Sequence, residues 1–191
     1  YEAHLLQKSA QRRLARLRIR CAGEIIGGDG AQLLQVLKAV FAFIRAVAQL
    51  PNVELLIAGD GESHRELAAL IAALTPAGQL PRVRLLGHVS EGEKAQLLAE
   101  CELFCLASRE RTEAFGMVLL EAMQHAKPCL VSDLPGSGMP WLIREAKAGQ
   151  VVAMEDVDAW CGAIEAARQN PAQRSTWGQN GRAALVSRFD I

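Results

Sequence analysis

Two glutamates separated by seven residues flank a predicted helix start in the segment SRERTEAFGMVLLEAM, residues 108–123. Glu113 lies in a polar loop after a short apolar run, and Glu121 lies within the helix that Phe115 and Gly116 open. A helix start presents N–H groups without an intrahelical partner and about half a positive charge, which suits phosphate oxygens. Gly116 would let a ligand approach the backbone closely. The segment therefore has the chemistry to hold a sugar attached to a diphosphate.

The spacing of the two carboxylates suits the two ends of one nucleotide sugar. Glu113 can accept hydrogen bonds from hexose hydroxyls. Glu121 lies about 9 Å further along the helix, a distance at which it could reach the ribose of the same ligand. Burying Glu121 without a partner would be costly, because the residues around it are apolar: Leu119, Leu120, Ala122 and Met123. The structural alternative is a capping acid followed by a glutamate whose chain extends to solvent. Spacing alone leaves both interpretations open.

Short apolar runs alternate with helical periodicity over most of the chain, and the runs do not alternate with polar residues as half-buried strands do. This pattern predicts a parallel sheet covered by helices on both faces, with ligands beyond the carboxyl ends of the strands. The loops after Ile57, Leu86, Leu106 and Val131 are therefore the expected functional edge. Helices are predicted at 31–49, 62–74, 91–100, 115–124, 138–146, 156–169 and 171–187, and strands at 53–61, 82–89, 102–108, 129–132 and 149–153.

Other candidate motifs favour structural roles. The glycine clusters at 27–30 and 59–61 complete neither a dinucleotide fingerprint nor a Walker loop, and they are interpreted as tight turns. Asp156-Val157-Asp158 imitates a metal site, but it precedes a helix whose free N–H groups an aspartate would cap. The four histidines are not grouped with acids, and the five scattered cysteines are typical of buried, reduced thiols in a cytosolic protein.

Length and charge exclude several classes of protein. The chain has 191 residues, which suits one α/β domain, and its formal net charge is zero, which makes a general nucleic-acid binder unexpected. The sequence contains neither an apolar run long enough for a transmembrane helix nor a secretory signal pattern. Residues 1–20 contain six basic residues and one acid, a composition that favours a solvated or poorly ordered arm over a membrane-surface helix.

The segment 108–123 resembles the Glu-x7-Glu signature of family 4 glycosyltransferases of the GT-B fold, in their C-terminal, donor-binding domain. Glu113, Phe115, Gly116, Glu121 and Ala122 match that signature in register. Other stretches resemble the family's strands and closing helix in the right order: LLIAGDG (55–61), RVRLLGHVS (82–90), KPCLVSDLPG (127–136), AGQVV (148–152) and WGQNGRAALVSRFD (177–190).

The resemblance implies an α/β fold, a Rossmann-like three-layer α/β/α parallel sheet that forms one half of a GT-B enzyme. It implies that Glu113 is the catalytic acid that orients the donor sugar and that Glu121 binds the ribose hydroxyls. The backbone N–H groups of Phe115, Gly116 and Met117 would meet sugar or phosphate oxygens. The implied activity is a retaining hexosyl transfer from a nucleotide diphosphate sugar, without a metal or another cofactor, in cell-surface polysaccharide or glycolipid synthesis.

Two departures from the family pattern stand out. Residues 17–42 lack the G-R-L and K-G motifs that grip the diphosphate, and Lys38 is predicted in mid-helix. We therefore assign 1–42 to a divergent or partial N-terminal segment and 43–191 to the nucleotide-sugar-binding domain. A divergent start, a truncated gene and a reading-frame error all remain open.

The second departure is that the length leaves room for one of the two domains of a GT-B enzyme. A saccharide or lipid-linked acceptor would bind a missing N-terminal domain, and this chain alone would be inactive. The expected location is cytoplasmic, at the inner face of the membrane, with peripheral membrane contact and no nucleic-acid partner. The alternatives are a non-catalytic nucleotide-binding or scaffold module and another GT-B enzyme, such as an epimerase, a glucan synthase or a phosphorylase.

Overall fold

The computed structural model describes residues 17–22, 30–59, 61, 63–108 and 117–188. In these residues strands and helices alternate, with a helix after every strand and a second helix at the carboxyl end, as the periodicity predicts. The strands are β1 (Leu17–Ala22), β2 (Val53–Ala58), β3 (Val83–Gly87), β4 (Leu103–Leu106), β5 (Cys129–Ser132) and β6 (Gly149–Val152). The helices are α1 (Gly30–Gln49), α2 (His64–Leu74), α3 (Glu91–Glu100), α4 (Met117–Gln124), α5 (Gly138–Ala146), α6 (Val157–Gln169) and α7 (Pro171–Arg188).

The six strands form one parallel sheet in the order β3-β2-β1-β4-β5-β6. Ile19 of β1 lies beside Leu55 of β2 on one side and beside Leu103 of β4 on the other. The chain therefore builds the sheet outward to β3, then returns to the other side of β1 and builds outward again. The predicted parallel α/β architecture is confirmed, and the strand order reverses between β1 and β4.

β1 corrects the prediction of a solvated or poorly ordered segment at 1–20, for its described residues 17–20. Residues 17–22 are an inner strand of the sheet, in which Leu17 and Ile19 are buried and Arg18 between them is exposed. The backbone N–H of Arg18 donates to Glu102 Oε2 at 3.1 Å. The basic residues of this stretch alternate with only a few apolar ones, so the sequence pattern does not predict a strand here. Residues 1–16 lie outside the described part of the chain.

Helices cover both faces of the sheet, so the predicted three-layer arrangement is confirmed. On one face, α1, α2 and α6 pack on the sheet, and the Phe43 and Trp160 rings lie 4.9 Å apart between α1 and α6. On the other face, α3, α4 and α5 bury Leu98, Leu119 and Ile143 against the sheet. Adjacent residues of β4 point to opposite faces of the sheet. Cys105 packs in the core beneath α1, α2 and α6, and Phe104 packs in the core beneath α3, α4 and α5.

Side-chain caps set where two of the helices begin. Ser90 Oγ accepts from the N–H of Glu93, and Glu93 Oε2 accepts from the N–H of Ser90 at 2.8 Å, which makes a capping box at the start of α3. Asp156 accepts from the N–H of Ala159 at 2.9 Å at the start of α6. The interpretation of Asp156-Val157-Asp158 as a helix cap is therefore confirmed.

Close packing by α7 fixes the position of α4. A Cβ at Gly178 would overlap the carbonyl of Ala126, directly beyond the end of α4, and one at Gly181 would lie 3.2 Å from Met123 Cγ. Arg182 donates to the carbonyl of Gln124 at 2.8 Å, which places a positive charge at the negative end of the α4 dipole. The far end of α4 is thus held by contacts that only small residues in α7 allow.

Four cysteines agree with the prediction of scattered, reduced thiols. Cys101, Cys105 and Cys129 are buried, Cys161 is partly buried, and none of these four forms a disulfide. Burial raises the pKa of the Cys129 thiol well above its ordinary value, which keeps that thiol protonated at neutral pH. Among the described residues, no helix combines the length and the apolar character that crossing a bilayer requires.

Replacing Gly178 with alanine should destabilise the protein by about 1–3 kcal/mol, because the added Cβ overlaps backbone that cannot move freely. Gly162→Ala is the matched control: this glycine lies inside α6 with open space around its would-be Cβ. It should stabilise the protein by up to ~1 kcal/mol through helix propensity. Urea unfolding measures both, and a neutral Gly178→Ala would show that α7 does not press on α4 as described.

Replacing Ser90 with alanine should cost about 1 kcal/mol in urea unfolding at neutral pH, because α3 loses its N-terminal cap. The hydrogen bonds from Ser90 lower the pKa of Glu93 below its ordinary value. The part of that cost that comes from the hydrogen bond between Ser90 Oγ and the Glu93 carboxylate is therefore present above pH ~4.5 and lost as the pH falls further. The difference between wild type and Ser90→Ala should shrink at pH 3 but not vanish, because the bond from the Glu93 N–H to Ser90 Oγ does not titrate. An unchanged difference would contradict the hydrogen bond between Ser90 Oγ and the carboxylate.

Candidate functional site

The candidate site lies at the carboxyl edge of the sheet, where the strand order reverses between β1 and β4. The connections after neighbouring strands run to opposite faces at such a point and leave a crevice between them. Those two connections include residues 23–29 and 109–116, which lie outside the described residues. Glu113, Phe115 and Gly116 fall in the second of these segments, so the roles assigned to them stay predictions.

Met117 and Glu121 are the two sequence-predicted site residues that the structure describes. Met117 is the first residue of α4 and is 71% exposed. Glu121 follows one turn later, on the same short helix. The first N–H groups of a helix have no intrahelical partner, so the start of α4 carries donors toward this edge.

Glu121 is held by a lysine from another helix. Lys94 Nζ donates to Glu121 Oε1 at 3.0 Å and lies 3.0 Å from Oε2 as well. Oε2 is buried, and its partner among the described residues is the Lys94 ammonium. Each carboxylate oxygen can accept more than one hydrogen bond, so the carboxylate keeps acceptor capacity that a ligand hydroxyl can use.

Lys94 lies in the first turns of α3, which begins shortly after the carboxyl end of β3. Its ammonium also contacts Glu91 Oε2 at 2.9 Å, on an otherwise exposed side chain. Glu91 first, and Glu121 after it, raise the pKa of Lys94 above its ordinary value, although desolvation acts in the opposite direction. The ammonium is therefore charged at neutral pH, and it bridges the two carboxylates.

Two glycines shape the neighbouring loop. Gly87 ends β3 with a φ of 69°, a conformation that side chains disfavour, and directs the chain toward His88 and Ser90. The N–H of Gly59, at the end of β2, donates to the carbonyl of Gly87 at 2.9 Å. This bond joins the carboxyl ends of β2 and β3 and positions the loop that leads into α3 and Lys94. The tight turn predicted at 59–61 stays a prediction, because residue 60 lies outside the described residues.

Sequence reasoning missed Lys94. The only sequence signal at this place is the capping pattern that starts α3 at Ser90 and puts Lys94 one turn later. Nothing in that pattern indicates a partner 27 residues away on α4. The contact exists because α3 and α4 lie side by side on one face of the sheet. In the described residues no group of three or more histidine, cysteine, aspartate or glutamate side chains is arranged to hold a metal.

Known proteins resemble this chain over most of its described length. The lipopolysaccharide core biosynthesis glycosyltransferase LpsE of Rhizobium meliloti is 30% identical over 152 residues, 80% of this chain and 42% of LpsE. The D-inositol 3-phosphate glycosyltransferase of Mycobacterium marinum is 33% identical over 158 residues, 81% of this chain and 31% of that enzyme. The chain therefore spans less than half the length of these curated relatives.

Solved structures share the fold. The crystal structure of Anabaena Alr3699/HepE in complex with UDP-glucose superposes with a TM-score of 0.73 at 24% identity, over 95% of this chain and 48% of that one. At this identity the likeness concerns the fold alone, which is the Rossmann-like half of GT-B enzymes. The family model described as "Glycosyl transferases group 1" matches residues 31–184, and the chain belongs to that family.

Proposed function

We propose that this chain is the donor-binding portion of a retaining hexosyltransferase that uses a nucleotide diphosphate sugar. The observation that carries the proposal is Glu121, a partly buried carboxylate near the start of α4 at the edge where the strand order reverses. Family membership supports glycosyl transfer, and the UDP-glucose in the Anabaena structure supports a nucleotide sugar as the donor.

In this proposal each end of the donor meets its own acidic residue. Glu121 accepts hydrogen bonds from the ribose hydroxyls, and Glu113 orients the hexose beside the reacting carbon. The bond between the anomeric carbon and the diphosphate breaks with its electron pair on the diphosphate oxygen, so negative charge grows there. The oxygen of an acceptor hydroxyl forms the new bond to the same face of that carbon, and its proton passes to the departing diphosphate. The N–H groups of Phe115 and Gly116, which precede α4 in the sequence, and of Met117 would stabilise that charge, together with the helix dipole. No metal is assigned to the step.

The acceptor in this proposal is a saccharide or a lipid-linked saccharide in cell-surface polysaccharide or glycolipid synthesis. Two relatives' names support this class, since one is a lipopolysaccharide core biosynthesis glycosyltransferase and another is a phosphatidyl-myo-inositol mannosyltransferase. An acceptor-binding domain outside these 191 residues would complete the site, at the cytoplasmic face of the membrane. This assignment is by analogy to whole enzymes that are more than twice as long as the matched region.

One observation favours a second candidate, a nucleotide-binding module without catalysis. The basic motif that grips the diphosphate in the family is missing from residues 17–42, and Lys38 does not replace it. Lys38 is exposed in the middle of α1, about 12 Å from the helix start at ~1.5 Å per residue. A module of this kind would bind nucleotide through Glu121 and yet transfer no sugar.

Nucleotide binding should depend on Glu121. We expect one of the UDP, GDP, ADP or dTDP sugars to stabilise the wild-type chain by about 2.7 kcal/mol at ~100 times its dissociation constant. Glu113→Ala should weaken binding of the sugar nucleotide more than that of the free nucleotide, whereas Glu121→Ala should weaken both. Thermal shift and calorimetric titration measure these effects.

Glu100→Ala is the control for those variants, because Glu100 ends α3 and accepts only from Gln96 in its own helix among the described contacts. This variant should bind like wild type. A stabilisation that survives Glu121→Ala unchanged would remove the ribose role. If no nucleotide stabilises wild type, the donor-binding proposal fails.

The 191-residue chain should bind donor and transfer nothing, because the acceptor and its activating groups belong to another domain in this proposal. Incubation with labelled sugar nucleotide and a panel of lipid and saccharide acceptors should give no labelled product. Product formation by the purified chain would contradict the division of roles, while leaving the donor site itself intact.

A further inference from the structure

We propose that Lys94 is a positioning residue of the nucleotide site: its ammonium holds the Glu121 carboxylate in the orientation that receives the ribose hydroxyls. This inference rests on the proposed function of Glu121 as the ribose-binding acid. It adds a residue from a different helix, α3, to a site whose predicted members all belong to α4 and the loop before it.

The geometry of the pair supports this role. Lys94 Nζ lies 3.0 Å from both carboxylate oxygens of Glu121, and the two side chains are 23% and 31% exposed. Within the described part of the chain, no other side chain donates a hydrogen bond to Glu121. A partly buried ion pair of this kind is screened less by solvent than an exposed one. Lys94 is therefore the group that restrains the Glu121 side chain.

The surroundings of Glu121 explain why a restraint is needed. Glu121 is only 31% exposed, on a helix that buries Leu119, Ala122 and Met123. A glutamate side chain has several rotatable bonds, and without a cation nearby it would favour conformations that reach into solvent. A carboxylate that is already ordered loses less conformational entropy when two hydroxyls bind to it.

The charge balance argues against Lys94 as a replacement for the missing diphosphate clamp. Lys94 contacts two carboxylates, Glu121 and Glu91 at 2.9 Å, so this cluster of three side chains carries one net negative charge at neutral pH. Such a cluster repels a diphosphate and suits neutral hydroxyl donors. The predicted ligand of the Lys94–Glu121 pair is therefore the ribose and not the phosphate.

Discrimination between ribose and 2′-deoxyribose tests the inference, because a merely structural lysine would not change it. The probes are UDP, GDP and ADP, of which the tightest-binding one is compared with its 2′-deoxy counterpart and its monophosphate. The variants are Lys94→Met, Lys94→Arg, Glu121→Gln and the double variant Lys94→Met/Glu121→Gln. Affinities come from calorimetric titration, and a thermal melt of each variant without ligand monitors folding.

Lys127→Met is the matched control. Lys127 Nζ donates to the carbonyl of Ala99 at 2.7 Å, so it also joins the α4 region to α3, but at the ends remote from the carboxyl edge. This variant loses the same charge and one contact between α3 and the loop that follows α4. It should keep the wild-type preference for ribose.

We expect wild type to prefer the ribonucleotide by about tenfold, the factor that corresponds to one hydrogen bond to a charged group. Lys94→Met and Glu121→Gln should each bring that preference close to one, and the double variant should show no further loss. Lys94→Arg should restore most of the preference. If Lys94→Met does not fold, Lys94→Gln takes its place with the same expected loss.

Three results would overturn the inference, and they separate it from the proposed function. If Glu121→Gln loses the preference for ribose and Lys94→Met keeps it, Lys94 does not position the acid, although the donor site stands. If Lys94→Met weakens the ribo and deoxy diphosphates equally and the monophosphate less, Lys94 contacts phosphate directly. If wild type binds none of the nucleotides, the proposed function fails and the inference fails with it.

Discussion

The reversal of strand order between β1 and β4 is the constraint on which the site depends. Parallel strands need right-handed crossovers, so connections built outward in opposite directions must place their helices on opposite faces. α1 and α2 therefore cover one face, and α4 and α5 cover the other. The helix that follows β1 and the helix that follows β4 consequently lie on opposite faces. Topology alone makes such a point the expected place for a ligand, before any side chain contributes chemistry to it.

The orientation of α4 depends on contacts far from that crevice. Gly178 and Gly181 let α7 approach the end of α4, and Arg182 binds the carbonyl of Gln124 there. Since α4 is a rigid helix of eight residues, a shift at its far end moves Glu121 as well. Small residues in α7, which carry no chemistry, thus help to place the carboxylate that the proposed donor would contact.

Charge at the edge is arranged in a way that family motifs do not indicate. The chain belongs to a glycosyltransferase family, yet residues 17–42 lack the basic diphosphate motif, and the cation that the structure brings to Glu121 comes from α3. In the proposed site the Lys94 ammonium orients the Glu121 carboxylate, and the pair attracts phosphate only weakly. Among the described residues, the start of α4 offers positive potential to the diphosphate in the proposed donor complex.

The sequence by itself determined the parallel α/β architecture, nearly all the helices and strands, the cap at Asp156 and the family. Those features depend on local periodicity and on residues close together in the chain. The sequence did not predict β1, because only two buried apolar residues, Leu17 and Ile19, lie among Arg18 and its basic neighbours. Only the tertiary structure decided that Lys94 meets Glu121, because packing two helices on one face joins residues that are 27 positions apart.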